Sequence, residues 1–287
     1  MKNLFKDLKE EKDHYRSILT SNYGESNKTC YWRFSDTKTS LDNSEDNFKK
    51  EYWTNRTLEY RYNNYGFRTD DNFNSNDEGV VILGCSFTEG IGLPIEYTWG
   101  YKLSKYLGLK FWNLGQGAMG VHTCFRLLLG MADKLKFNKV FLLSPPLYRK
   151  EFIVEDNNMI KEFLDDKSKT KNLFHTLGQD IRNKIYFNTS DKDYENLLRA
   201  WLFGSRKDTV IDQIRSIYAI EGLCKDLNVD FYYQNFYTFF NKKYLDLEET
   251  IPEEECPNIP ARDGHWSARR QHLIYKKFIE LYENNNR

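Results

Sequence analysis

The chain is poor in the features that announce metal, redox or nucleic-acid chemistry. Its five cysteines, Cys30, Cys85, Cys124, Cys224 and Cys256, show no CxxC spacing. That excludes a zinc ribbon or thioredoxin-like pair and suggests free thiols in a reducing compartment. Neither charge is in excess, with 42 Lys+Arg against 42 Asp+Glu. A nucleic acid or an anionic membrane is therefore not implied as a partner. No apolar run approaches the roughly 20 residues of a membrane span. The start, Met1 to Glu11, is too charged for a signal peptide. A Gly-Lys-Ser/Thr phosphate loop is missing as well, which leaves the glycine cluster at Gly115 to Gly120 a weak nucleotide signal. The expectation is a chain without metal or cofactor, located in the cytoplasm, or virion-associated if phage-encoded. The Asn, Lys, Tyr and Phe bias suits an AT-rich bacterial or phage genome.

What remains is globular: 287 residues, 40% hydrophobic and 16% aromatic, enough for a sizeable core. Residues 1–78 read as an N-terminal extension packed on the core, polar and Tyr-rich, with Leu4, Phe5 and Leu8 at helical spacing. Trp53 to Phe67 alternates aromatic and polar residues, as strands or a packed arm would. From residue 79 to 287 the rhythm becomes strand, helix, strand. Val80 to Leu83, Lys110 to Leu114, Val140 to Leu143 and Val229 to Tyr233 are strand-like runs. Between them lie helical stripes, Trp99 to Leu107 with Thr98 as N-cap and Gly108 as stop, then Val121 to Leu135. A further stripe, Val210, Ile214, Ile217, Tyr218 and Leu223, precedes the fourth strand. The last, Leu273 to Tyr282, opens on Ser267 as N-cap and leaves His272 on its exposed side. Residues 147–207 break the rhythm and read as a lid-like insertion, with helical pieces at Met159 to Leu164 and Tyr194 to Phe203. The alternation predicts an α/β fold with a mostly parallel sheet between helical layers. Its reactive groups would sit beyond the carboxyl ends of the strands.

Two segments carry chemistry. Ser86 follows the strand-ending Gly84 by two residues. A tight turn there lifts its hydroxyl above the sheet and aims backbone N–H groups at the same point, the requirement for attack on a carbonyl with oxyanion stabilisation. A serine in this place also suits a helix N-cap. Asp263 and His265 are two apart, and residues i and i+2 of an extended segment share a side. The carboxylate can then fix the imidazole tautomer and leave the other nitrogen as general base; a surface turn with a capping Asp is the plain alternative. Cys85 would point away from Ser86 by the same alternation, which disfavours it as nucleophile. His122 and Arg149 flank the same edge and are candidate substrate-binding residues. Glu253-Glu254-Glu255 reads as a solvated loop, and Phe231 to Phe240 as the fourth strand with its packing neighbours.

Taken together, these blocks resemble the SGNH, or GDSL-type, hydrolase superfamily. Gly84-Cys85-Ser86-Phe87-Thr88-Glu89-Gly90 is similar to its nucleophile block, Asn113-Leu114-Gly115-Gln116-Gly117-Ala118 to its second block, and Asp263-Gly264-His265 to its terminal block. Asp263-Gly264-His265-Trp266 also resembles the signature of SGNH-like polysaccharide O-acetyltransferases, and Asn64-Tyr65-Gly66-Phe67-Arg68 a segment that precedes the nucleophile strand in bacterial and phage members. The resemblance implies a three-layer flavodoxin-like fold and metal-free ester chemistry on a small-molecule or glycan ester. Ser86 is then nucleophile, His265 base and Asp263 its orienter, with backbone N–H groups of Ser86 and Gly117 (or Ala118) as the oxyanion hole. Two departures stand out. Cys85 occupies the place of the family's Asp, and Ser144-Pro145-Pro146-Leu147-Tyr148-Arg149 stands where a Gly-x-Asn block would supply another oxyanion donor. Loss of such a donor costs roughly 3–4 kcal/mol of transition-state stabilisation; Ser144 or Arg149 is the candidate substitute.

Overall fold

A computed structural model describes residues 19–20, 26–147, 149–153, 174–177 and 206–286. Four runs of apolar residues form a parallel sheet: β3 (Glu78–Leu83), β4 (Lys110–Asn113), β5 (Lys136–Ser144) and β8 (Asp230–Asn235). Their order is β4-β3-β5-β8, with Val81 opposite both Trp112 and Val140, and Val140 opposite Phe231. Both faces are covered in the middle of the sheet, which is why Val80 to Leu83 and Val140 to Leu143 are continuous apolar runs rather than alternating ones. Period-two geometry divides the side chains between two cores. Val80, Ile82, Phe141 and Leu143 pack with Trp99 and Leu103 of α4 (Trp99–Leu107) and with Ile274 and Phe278 of α8 (Ala268–Asn285). Val81, Leu83, Val140 and Leu142 pack with Leu127 and Leu128 of α5 (Val121–Met131) and with Ile220 and Leu223 of α6 (Arg206–Leu227).

Local signals set several boundaries. Gly108 ends α4 in the left-handed region, at φ 65°. Ser267 caps α8 by accepting from the Arg270 N–H at 3.1 Å. Thr98 stands at the N-cap of α4, but its hydroxyl donates to the Ile95 carbonyl and caps nothing. On α6, Ile214 and Tyr218 are exposed rather than part of the apolar stripe. The buried face runs instead through Thr209, Gln213, Ile220 and Cys224, because α5 covers that side.

The N-terminal segment contributes β1 (Thr29–Cys30), α1 (Lys38–Asp42), α2 (Asn47–Thr54) and β2 (Tyr60–Arg61), with β1 and β2 antiparallel. Trp53, Leu58, Tyr60 and Tyr62 form a third core with Ile91, Leu93, Ile259 and Ala261, at the carboxyl edge of the sheet. Trp53 thus lies on a helix rather than a strand, and its indole N–H donates to the Pro260 carbonyl at 3.0 Å. Within the region expected as a lid, β6 (Lys150–Ile153) and β7 (Phe174–Leu177) pair antiparallel. The helical pieces expected at Met159 to Leu164 and Tyr194 to Phe203, and the Leu4–Leu8 spacing, lie outside the described residues. Among the described residues no helix is long and apolar enough to cross a membrane.

Candidate active site

In an open parallel sheet the crevice lies where the chain reverses its order across the strands. Here that is the junction of β3 and β5, since β4 lies to one side of β3 and β5 to the other. Ser86 sits at this junction, as the first residue of the four-residue helix α3 (Ser86–Glu89). Glycines make the turn geometry reachable. A Cβ on Gly84 would lie 2.9 Å from the Leu143 carbonyl, and one on Gly115 would lie 2.6 Å from the Thr88 methyl, so the loops after β3, β4 and β5 close on one another. The N-cap of α3 is Cys85, not Ser86. Cys85 is buried beside Cys124, a thiol pushed far above its ordinary value by burial and then by the proximity of Cys85. Among the described residues the Ser86 hydroxyl and N–H form no hydrogen bond, as a residue at a helix N-terminus can.

Asp263 and His265 meet, across a bend rather than in the extended segment expected. The His265 Nδ1 lies 2.6 Å from Asp263 Oδ2, and the His265 backbone N–H donates to Oδ1 at 3.0 Å. Asp263 is buried, and its side chain is fully enclosed. Burial alone would raise this carboxyl; the His265 ring, the Ser35 hydroxyl and the His265 N–H outweigh it and hold the group below its ordinary value. With Nδ1 on the carboxylate, Nε2 carries no hydrogen bond to any described residue. The imidazole packs against Phe87, ring centroids 4.6 Å apart, which places it beside the residue that follows Ser86. Phe236, Phe240 and Trp266 extend that aromatic wall, and Phe240 is half exposed.

Gly117 departs from expectation. Its N–H donates to Glu89 Oε2 at 2.6 Å and is therefore not offered to a ligand. Glu89 is fully buried, accepts the Tyr62 hydroxyl at 2.7 Å and has Arg33 Nε 3.6 Å away. Phe34 lies over Gly117, so close that a Cβ there would be 2.5 Å from its ring. The next residue, Ala118, is exposed and has a positive φ of 62°, a conformation few non-glycine residues adopt. His122 is likewise turned to a structural task. Its Nε2 accepts the Glu151 N–H and its Nδ1 meets Gln213, because α5 is wedged between β6 and α6. Arg149 donates to the Met119 carbonyl at 3.2 Å, tying the loop after β5 to the loop after β4. At the glycine-rich turn the first N–H of α5, that of Val121, donates to Gln213 Oε1. His272 is buried rather than exposed, against Lys102 of α4 and Glu255. Burial first, opposed by the Glu255 bond, lowers its basicity.

Sequence reasoning missed the segment Tyr31–Asp36. Ser35 Oγ donates to Asp263 Oδ2 at 2.6 Å, across 228 positions. Asp36 forms a buried pair with Arg262, at 2.7 Å, and also accepts the Tyr60 hydroxyl. Lys49 donates to the Asp263 carbonyl at 2.6 Å. On the far side of Arg262 an open groove of about 620 Å³ is lined by Tyr31, Trp32, Lys50, Trp53 and Arg56; neither Ser86 nor His265 borders it. Among the described residues no group of three or more His, Cys, Asp or Glu could hold a metal ion. No protein-family model and no curated protein matches this chain.

Proposed function

We propose that this chain is a serine hydrolase of the SGNH type, acting on an ester of an acyl group carried by a carbohydrate. The observation that carries the reading is the 2.6 Å contact between His265 Nδ1 and the buried Asp263 carboxylate, beside the turn that bears Ser86. The strand order supports the fold side of it, since second-first-third-fourth is the flavodoxin-like arrangement, with its ligand site at this junction. In the proposed reaction Ser86 Oγ attacks the ester carbonyl while His265 Nε2 takes its proton. The oxyanion accepts the Ser86 N–H and, with Gly117 engaged by Glu89, the Ala118 N–H. His265 then protonates the departing alkoxide, and water, or a sugar hydroxyl in the transferase version, attacks the acyl-serine. The half-exposed Phe240 beside Phe87 and Trp266 offers a face on which a sugar ring can stack. A fluorophosphonate probe tests the proposal: it labels the wild type and fails to label Ser86→Ala and His265→Ala. Equal labelling of Ser86→Ala, or none of the wild type, overturns it.

One observation favours a second reading, a glycan-binding module with little turnover. The Gly117 N–H is occupied, and Ser144-Pro145-Pro146 ends β5 without an amide side chain to hold an oxyanion. Glycan binding without hydrolysis of p-nitrophenyl acetate is its signature; hydrolysis lost in His265→Ala counts against it.

A further inference from the structure

We propose that Ser35 is a positioning residue for the Asp263–His265 pair, so that the N-terminal segment is part of the reactive site and not a packing appendage. This rests on the function proposed above only for its consequence in catalysis. The geometry itself is independent of that reading. Ser35 Oγ and His265 Nδ1 converge on one oxygen, Asp263 Oδ2, both at 2.6 Å. The hydroxyl belongs to a strap held at three further points. Arg33 lies beside buried Glu89, Asp36 is locked to Arg262, and Phe34 packs over Gly117. Ser35 is therefore delivered to Asp263 by a preformed loop, although the residue is itself on the surface. The strap spans both halves of the site, from the acid–base pair to the turn after β4.

The electrostatic consequence has a definite sign. A carboxylate oxygen that accepts a hydroxyl proton holds less charge for the imidazolium. Removing the Ser35 hydroxyl strengthens the pull of Asp263 on the protonated ring, so His265 gains a proton at higher pH. The other charged groups around the pair are Lys49, on the Asp263 carbonyl; Arg262 with its partner Asp36; and Glu248 with Arg270, joined to Ser267. All are retained when Ser35 alone is changed.

The test is an NMR titration of the His265 ring in the full-length protein, with the signal assigned by its loss in His265→Asn. In Ser35→Ala the midpoint moves upward from that of the wild type. Ser35→Thr, which keeps a hydroxyl, restores it. In parallel the acid limb of the pH dependence of fluorophosphonate labelling moves upward in Ser35→Ala and returns in Ser35→Thr. A His265 midpoint unchanged in Ser35→Ala, or moved equally in Ser35→Thr, overturns the proposal. If the wild type does not label at all, the esterase reading fails while the His265 titration still decides the role of Ser35.

Discussion

Asp263→Asn isolates the acid of the candidate site with almost no change in shape. Its carboxylate accepts three hydrogen bonds: two at Oδ2, from the His265 ring and Ser35, and one at Oδ1, from the His265 N–H. An amide keeps one acceptor oxygen and turns the other into a donor. If the NH2 replaces Oδ2, it faces two donors; if the amide flips, it faces the His265 N–H. Hydrogen bonds to a charged group contribute about 1.5–3 kcal/mol each. The flipped amide loses the fewest, one such bond, so the direct cost in stability is about 1.5–3 kcal/mol. A switch of the His265 tautomer lowers the labelling rate by up to about 10⁴-fold. The assay is the second-order rate constant for fluorophosphonate labelling, with circular dichroism to show that the fold survives. A labelling rate within about threefold of wild type would refute the assignment of Asp263. Stability gives a second, pH-resolved check. The folded carboxyl lies below its unfolded value near ~3.9, so its contribution is complete above that pH and is lost as pH falls through the folded value. The stability gap between wild type and Asp263→Asn is accordingly widest at neutral pH and narrows below about pH 4.

Asp36→Ala strips Arg262 of its buried partner and leaves the Tyr60 hydroxyl without its acceptor, so urea unfolding should show a loss of about 3–5 kcal/mol. A double-mutant cycle with Arg262→Met should reveal strong coupling between the two, and additive effects would contradict the pairing. Cys85→Ala should label with fluorophosphonate nearly as wild type does, because its side chain is buried beside Cys124 and away from solvent. Loss of labelling in Cys85→Ala with retention in Ser86→Ala would instead assign the nucleophile to Cys85.

Much of the sheet was legible because burial on both faces writes itself into sequence as runs such as Val80 to Leu83 and Val140 to Leu143. Ser267 and Gly108 were legible for a similar reason: capping and left-handed termination are local demands with few residue solutions. The Asp263–His265 contact spans two residues and was legible from that spacing, although a bend in which Asp263 Oδ1 accepts the His265 N–H makes it, not the extended backbone expected. Ser35 and Asp36 could not. Their partners lie 228 and 226 positions away, and nothing in a polar stretch distinguishes a serine that meets a distant carboxylate from one in solvent. His272 misled for a related reason. Periodicity on α8 identifies the face toward the sheet, whereas His272 is buried by a second neighbour, α4, through Lys102.

The site is built unevenly, and the imbalance locates where chemistry and stability compete. On the acid–base side both oxygens of Asp263 accept hydrogen bonds and the imidazole is fixed by a short bond, so little reorganisation remains for a proton transfer. On the proposed oxyanion side the Gly117 N–H is committed to the support of the fold. The Gly117 N–H satisfies Glu89, a carboxylate so deeply buried that leaving it short of donors would be costly. Freeing that N–H for a substrate would strip Oε2 of Glu89 of the Gly117 donor and leave the carboxylate to the Tyr62 hydroxyl and to Arg33, 3.6 Å away. The strap that carries Arg33 also carries Ser35, so a shift that strengthens the Glu89 pair also moves the hydroxyl resting on Asp263. The two halves of the site thus share one segment, Arg33, Phe34 and Ser35. A perturbation of the Glu89 network should therefore be read out at His265 as well as at the turn after β4.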